Sequence, residues 1–194
     1  MSNSKEILIR NAADSDRDAI AEVLLEAYGQ YAAELPEPFW AEYRRSILDS
    51  VHGTAPYARI VAEIDNRIVG SVLLFLSSEE AYGRPELGIH SPIIRLLAVS
   101  PSVRGRGIAV LLIREAARRS IALGAATLNL HTSDMMASAV KLYERLGFQR
   151  AYETDIMNGD TLVKGYCLDL GAFSLPHALQ TLSRRFNLLD EKAP

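Results

Sequence analysis

Hydrophobic residues follow two periodicities along this chain, and together they predict its secondary structure. Short apolar runs typical of buried strands alternate with longer stretches in which apolar residues recur every three or four positions, as in amphipathic helices. The predicted strands span residues 7–10, 59–64, 68–76, 93–99, 126–131, 148–153 and 162–170. A first helix follows Asp16, and further helices are predicted over residues 39–50, 107–123 and 136–146.

The order of these elements predicts a mixed sheet. Three turn-type residues, 65–67, join two β-rich runs and favour an antiparallel hairpin, whereas 93–99, 107–123 and 126–131 form a strand–helix–strand unit that implies parallel pairing. Residues 77–92 are predicted to be a loop. We therefore expect an α/β (α+β) fold: one mostly antiparallel sheet with a central parallel unit and helices on both faces.

The domain organisation follows from the same pattern. Residues 1–170 are expected to form one domain, and residues 171–194 a helical extension. One face of that extension carries apolar side chains, at Leu179, Leu182, Phe186 and Leu189. We expect it to dock on its own domain or to mediate a homodimer.

Composition and charge exclude several classes of protein. A formal net charge of −3 argues against a nucleic-acid binder, which usually has a basic face. Cys167 is the only cysteine, so no internal disulfide or cysteine-based metal site can form; we interpret Cys167 as a packing residue and expect no metal. Charged residues interrupt the first 20 positions, and the apolar stretch 68–76 is too short to cross a membrane. We expect a cytoplasmic protein that binds neither nucleic acid nor membrane.

A basic, glycine-containing turn, Arg104-Gly105-Arg106-Gly107, joins a predicted strand to a predicted helix. The first amides of a helix have no partner within the helix, and the helix dipole places partial positive charge there. Glycines let the backbone close around an anion, so the turn predicts a diphosphate site. Ile108 follows Gly107 where a Walker A loop needs lysine, and there is no third glycine for a dinucleotide fingerprint. The alternative is a solvated basic turn.

Four segments together resemble the GNAT superfamily of acetyl-CoA-dependent N-acetyltransferases. Arg104, Gly107 and Ala109 occupy the pattern Arg/Gln-x-x-Gly-x-Gly/Ala, and the strand before the turn, residues 96–101, also resembles the family. So does the helix-to-strand junction at residues 142–148, as does the chain start at 9–16. The resemblance covers about 170 residues in the expected order.

The resemblance implies a binding site for acetyl-CoA, used as a co-substrate. The backbone of the turn would hold the pyrophosphate, and the main chain of Leu97 and Val99 would bind the pantetheine arm. The implied cofactor-binding residues are Leu97, Ala98, Val99, Arg104, Gly105, Arg106, Gly107, Ile108 and Ala109. Met136 stands where many relatives have an asparagine that touches pantetheine, which weakens that one contact.

The resemblance also implies roles in an acetyl transfer. Tyr143 matches the tyrosine that protonates the leaving thiolate, although it also fits an apolar helix stripe. Ile93 and Ile94 occupy the place where many relatives have a catalytic carboxylate. The general base therefore stays open among a water relay and four side chains, Glu63, Glu86, His90 and His131.

An aromatic cluster on the first two helices is predicted to line the acceptor pocket. It comprises Tyr28, Tyr31, Phe39, Trp40 and Tyr43, of which Tyr31 and Trp40 are our substrate-contact candidates. Such a pocket suits a small-molecule or peptide amine with an apolar body. Two alternatives are an idle acyl-CoA sensor and an interaction domain whose working part is the tail 175–189.

Overall fold

The computed structural model describes residues 6–32 and 37–171. The strands in this part of the chain are β1 Leu8–Asn11, β2 Ala58–Ile64, β3 Arg67–Phe75, β4 Ile93–Val99, β5 Thr127–Thr132, β6 Gln149–Arg150, β7 Ile156–Asn158 and β8 Thr161–Asp169. The helices are α1 Arg17–Gly29, α2 Glu37–His52, α3 Ser78–Tyr82, α4 Ile108–Ala122 and α5 Ala137–Arg145. The helix predicted in the extension lies outside the described residues.

The sheet confirms the expected mixed topology. Its strand order is β1-β2-β3-β4-β5-β8-β6, and β7 pairs with β8. Every pair is antiparallel except β4–β5, which is parallel and is connected through α4. The β2–β3 turn has two residues rather than three: Asp65 and Asn66 have φ of 51° and 60°, and Arg67 already lies in β3. Two consecutive positive φ values are typical of a type I′ hairpin turn.

Two hydrophobic cores, one on each face of the sheet, confirm the helices on both sides. Alternating residues of β3 show the division: Val72 and Leu74 pack with α4 and α5, whereas Leu73 and Phe75 pack with α1 and α2. This is the period of two expected of a strand buried on both faces. Residues 70–75 of β3 are accordingly all buried.

The segment predicted to be a loop contains the short helix α3, which has a capping residue at each end. The hydroxyl of Ser77 accepts a hydrogen bond from the amide of Glu80 at 3.2 Å, and Gly83 ends the helix with φ of 65°. A five-residue helix has too few turns to show a hydrophobic period. The predicted loop was therefore wrong at residues 78–82.

The strand predicted over 148–153 is also shorter in the structure. β6 ends at Arg150, and the side chain of Arg150 pairs with Asp155 at 2.8 Å across a 3₁₀ turn. The turn packs on β8 at Gly165, where an added Cβ would meet the Thr154 hydroxyl oxygen at 2.0 Å. The turn leads into β7, which the sequence pattern did not predict.

Candidate functional site

A bulge in β4 opens the sheet at its centre. Leu73 faces Arg95 and Ser71 faces Ala98, so β4 has one residue more than β3 across this interval. Leu96 lies there with φ of 53°, a left-handed conformation that strains a non-glycine residue by roughly 1–3 kcal/mol. Bulges re-aim a strand and are over-represented next to active sites.

The same bulge separates β4 from β5. The two strands pair only at Ile93–Asn129 and Ile94–Leu130. Beyond these pairs, residues 96–99 of β4 and 131–132 of β5 diverge, and we call the space between them the β4–β5 gap. A polar chain with amide groups could add there in the manner of an extra strand.

The N-terminus of α4 lies just beyond the end of β4. Gly107 is its N-cap residue with φ of 78°, and as a glycine it has no side chain that could cap the first amides. Gly105 has the same φ of 78°. Positive φ at both positions explains why the turn needs glycine, and a Cβ added at either would meet no atom within 4 Å. The turn therefore exposes uncapped amides at the positive end of the helix dipole.

The nine residues predicted to bind the cofactor lie along one continuous path. It runs from Leu97–Val99 at the β4–β5 gap through a 3₁₀ turn at Pro101–Val103 to the start of α4. Arg104 closes part of this path, since its guanidinium donates to the Val99 carbonyl at 3.4 Å and to the Gln30 side chain at 3.2 Å. The structure brings this predicted set together, while its role in binding stays a prediction.

Tyr143 lies on α5, in the core on the α4 side of the sheet. It is buried, and its ring meets Phe148 at 5.7 Å between centroids. Burial raises the pKa of Tyr143 well above its ordinary value, and Tyr31, Tyr43 and Tyr82 add to the shift. Tyr143 belongs to the core on the α4 side, whereas those three tyrosines pack on the α1 side. Tyr143 and those three tyrosines therefore lie on opposite faces of the sheet but within electrostatic range of one another.

The predicted aromatic cluster forms on α1 and α2, with one exception. The ring of Tyr28 lies 6.4 Å from Tyr31 and 5.8 Å from Tyr43, and Trp40 lies 6.3 Å from Tyr43. Burial raises the pKa of Tyr43 to about 12. Phe39 is 57 % exposed and does not pack with the cluster, so that prediction was wrong. Tyr31 and Trp40 are half-buried and keep part of their surface accessible.

A cavity of about 380 Å³ lies between α2 with the loop that follows it, the start of α3, and Phe75 and Arg95 of the sheet. We call it the α2 cavity; none of the five aromatic residues predicted to line the acceptor pocket is part of its wall. Its wall includes Arg95, whose guanidinium lies 4.8 Å from the ring centroid of Tyr82 and 5.6 Å from that of Phe75. Its rim carries three carboxylates, those of Glu42, Asp49 and Glu80. The sequence analysis missed Arg95 and Tyr82; the one charge inside the apolar run 93–99 was the available signal for Arg95.

The four side chains considered as a base occupy different places. Glu63 lies on β2, two strands from β4, where it forms an ion pair with Arg10 at 2.6 Å. Glu86 lies in an exposed 3₁₀ turn, and His90 is exposed. His131 is the first residue of β5 beyond its last pair with β4, so only this candidate lies at the β4–β5 gap.

A buried hydroxyl next to the gap lacks a hydrogen-bond partner. Among the buried side-chain oxygens and nitrogens of the described residues, only Ser71 Oγ and Thr132 Oγ1 have none. Thr132 follows His131 on β5 and is 3 % exposed. An unpaired buried hydroxyl costs about 1–3 kcal/mol, so a bound polar group would relieve it.

Other kinds of site find no support within residues 6–32 and 37–171. No three His, Cys, Asp or Glu side chains there are grouped as metal ligands would be. Nor does any helix in that part combine the length and apolar character needed to cross a bilayer. Burial raises the pKa of the Cys167 thiol, which lies in β8, and so disfavours the nucleophilic thiolate.

Comparison with known proteins identifies the family. Residues 18–148 match the model of the acetyltransferase (GNAT) family, so the chain belongs to that family. A mouse protein described as probable N-acetyltransferase family 8 member 5 is 31 % identical over 125 residues, which are 64 % of this chain and 51 % of that protein. The chain thus spans about half the length of this curated relative.

Solved structures share the fold at low sequence identity. One is the PaiA N-acetyltransferase of Thermoplasma acidophilum in complex with coenzyme A, with a TM-score of 0.62 and 17 % sequence identity. The matched region covers 82 % of this chain and 98 % of the Thermoplasma chain. A GNAT-family acetyltransferase of Staphylococcus aureus has a TM-score of 0.65 at 16 % identity, covering 84 % and 99 %. These similarities confirm the mixed, mostly antiparallel fold.

Proposed function

We propose that this protein is an N-acetyltransferase, which moves the acetyl group of acetyl-CoA directly to a primary amine of a small molecule or peptide. The observation that carries the proposal is the continuity between the β4–β5 gap and the uncapped N-terminus of α4. A pantetheine arm and a diphosphate are joined in coenzyme A in the same order. Family membership and the N-acetyltransferase relative support the reaction type.

The residues along the path suit coenzyme A. The amides that open α4 would hold the diphosphate, with Arg104 and Arg106 adding positive charge. The main chain of Leu97 and Val99 would bond the pantetheine amides. The unpartnered Thr132 hydroxyl offers one more polar contact beside the gap. Met136, at the position where many relatives have a pantetheine-contacting asparagine, instead packs its apolar side chain against the core on the α1 side. The coenzyme A complex of the Thermoplasma protein is consistent with this site.

Tyr143 would act as the general acid. Its raised pKa keeps the phenol protonated at neutral pH, so it can give its proton to the departing thiolate. A positioned acid of this kind contributes about 10²–10⁴-fold to the rate. The protonated state favoured for Cys167 supports direct transfer over a covalent enzyme intermediate.

The α2 cavity would bind the amine: its three carboxylates, beside Arg45 and Arg95, favour an incoming ammonium group. Tyr31 and Trp40 do not line this cavity, but they keep part of their surface accessible and would offer an apolar contact for the body of the substrate. We further propose that residues 1–170 form the catalytic domain and that the extension 171–194 serves docking or dimer formation.

The experiment combines the protein, acetyl-CoA and a panel of primary amines. Free thiol and the mass of each amine product are followed together. We expect thiol release that depends on an amine and an added mass equal to one acetyl group. Coenzyme A binding without turnover on any amine would favour the idle acyl-CoA sensor, and absence of coenzyme A binding would reject both.

A further inference from the structure

Tyr82 of α3 and His131 of β5 form a hydrogen-bonded pair at the edge of the β4–β5 gap. The Tyr82 hydroxyl lies 3.0 Å from His131 Nδ1, and the two rings are perpendicular, 5.0 Å apart between centroids at 81°. The other ring nitrogen of His131, Nε2, lies 2.7 Å from the carbonyl oxygen of Thr154. We call these two residues the Tyr82–His131 pair.

These contacts determine where the protons are. A carbonyl oxygen only accepts, so Nε2 of His131 must carry a hydrogen and donate it to Thr154. In the neutral ring Nδ1 then has a free lone pair, which accepts the hydroxyl hydrogen of Tyr82. The pair is therefore a directed chain, from Tyr82 to His131, with a vacant proton position at Nδ1.

The surroundings keep His131 neutral at pH 7. Burial lowers its pKa below the ordinary 6.5, while the Thr154 carbonyl and Asp155 oppose that shift and Arg95 and Arg150 reinforce it. Arg95 faces His131 from β4 and Arg150 from β6. Thr154 and Asp155 face it from the turn after β6, and Tyr82 faces it from α3. A neutral imidazole is the form that can receive a proton.

Tyr82 lies against Arg95, a residue of the cavity wall. Burial raises its pKa, and Arg95, stacked on its ring, opposes that shift by favouring negative charge on the phenol oxygen. Tyr82 also contributes to the raised pKa of Tyr143, so the two hydroxyls lie within electrostatic range of one another. Arg95, which stacks on the Tyr82 ring, directly precedes the bulge residue Leu96 and lines the α2 cavity. Tyr82 therefore packs against a residue of the cavity wall, and its hydroxyl meets His131 at the edge of the gap.

We propose that Tyr82 is a catalytic residue that takes a proton from the acceptor ammonium and passes its own proton to His131. This deepens the proposed function and rests on it. Tyr82 Oη receives the ammonium proton while its hydroxyl hydrogen moves to Nδ1, so His131 becomes an imidazolium that still donates to Thr154. His131 later releases that proton to solvent.

The remaining bonds balance as follows. The lone pair freed on the amine forms the new C–N bond, and the electrons of the C–S bond leave with sulfur. Tyr143 protonates the thiolate and is itself restored by the second proton lost from nitrogen. The products are an amide and a thiol, and one proton has passed to solvent. The pair would thus supply the base that Ile93 and Ile94 cannot.

The test compares Tyr82→Phe and His131→Gln with wild type. Phenylalanine keeps the ring that stacks on Arg95, and glutamine keeps an amide donor for the Thr154 carbonyl, so both variants retain the packing but lose the proton path. Tyr152→Phe is the matched control, since Tyr152 is 73 % exposed and loses the same hydroxyl. The acceptors are 2-phenylethylamine, its 2,2-difluoro analogue and the fastest amine of the panel.

We expect kcat/KM of the wild type to be level between pH 7 and 9, because the pair deprotonates the bound ammonium. In both variants it should fall by about 10²-fold at pH 7 and rise about tenfold per pH unit, since only free amine reacts. The deficit should shrink with the difluoro amine, which is largely neutral already. Coenzyme A affinity should not change.

Two failures can be told apart. If wild type acetylates no amine, the proposed function fails and the relay with it. If wild type acetylates an amine but both variants keep its pH profile, or lose equal activity with both phenylethylamines, the relay alone is overturned.

Discussion

The hydroxyl of Tyr28, on α1, donates a hydrogen bond to the main-chain carbonyl of Leu97, on β4, at 3.2 Å. Leu97 directly follows the bulge residue Leu96, so this bond ties a helix on one face of the sheet to the strand that has turned away from β5. Tyr28 is buried, which raises the pKa of its phenol and keeps it a donor at neutral pH. The Tyr28 side chain thereby holds β4 in place where it diverges from β5.

Replacing Tyr28 with phenylalanine should destabilise the protein. The Leu97 carbonyl loses its donor at a half-buried position, which costs about 1 kcal/mol in the free energy of unfolding. Urea denaturation measures the change, and Tyr152→Phe, at an exposed site, should stay within about 0.5 kcal/mol of wild type. Equal stability of the two variants would show that the Tyr28 bond contributes nothing.

Gly107→Asp should abolish coenzyme A binding by placing a carboxylate where the diphosphate is expected. Gly107→Asn is the matched control, since asparagine has nearly the same shape and tolerates the positive φ, yet is neutral. We expect the affinity of the aspartate variant to be lower than that of the asparagine variant by on the order of 100-fold, or about 2.7 kcal/mol. Titration calorimetry decides, and equal affinities would argue against an anion at this turn.

Tyr143→Phe should lower kcat and leave coenzyme A affinity unchanged. The variant keeps the ring that packs against Phe148 and removes only the proton donor. We expect a loss of about 10²-fold in kcat, the lower end for a positioned acid. Acetyl transfer is followed by thiol release under saturating acetyl-CoA. Unaltered kcat would return Tyr143 to a packing role.

Glu115 should make stability depend on pH in the acid range. Burial alone would raise its pKa, but hydrogen bonds from Arg118 and Arg119, at 2.8 Å each, outweigh burial and hold the pKa below the ordinary 4.5. A depressed pKa contributes stability that is full above about 4.5 and is lost as pH falls through the folded-state value. Wild type should exceed Glu115→Gln by roughly 1.5–3 kcal/mol at pH 7.

That difference should shrink steadily when urea denaturation is repeated between pH 5 and pH 3. A constant gap over this range would mean that the carboxylate is not charged in the folded state. Although charged, Glu115 is only 7 % exposed. The reason is that Arg119 also bonds the Asn11 side chain at the end of β1, so this end of the helix is covered.

Deleting residues 172–194 tests the proposed role of the extension. The candidate site lies wholly within residues 28–143, so coenzyme A affinity should be unchanged. If the extension docks or pairs, its loss should lower either the molar mass in solution or the melting temperature. Light scattering and thermal unfolding measure these, and no change in either would contradict the proposed role.

The sequence predicted the geometry of the glycine turn before α4 well, because its signal is local. Gly105 and Gly107 at positive φ, followed at once by a helical period, require no knowledge of distant residues. The bulge at Leu96 could not be predicted from the sequence. The apolar pattern of a strand does not show whether the neighbouring strand pairs with it one to one or has one residue fewer. The Tyr82–His131 contact was equally hidden, because it joins positions 49 apart through a helix too short to show a period.

The central claim is that the β4–β5 gap and the start of α4 together hold coenzyme A, and a crystal structure of the protein with coenzyme A tests it most directly. We expect the diphosphate within hydrogen-bond distance of the amides of residues 107–109 and the pantetheine arm beside Leu97 and Val99. Coenzyme A bound elsewhere, with the gap closed by protein side chains, would contradict the account.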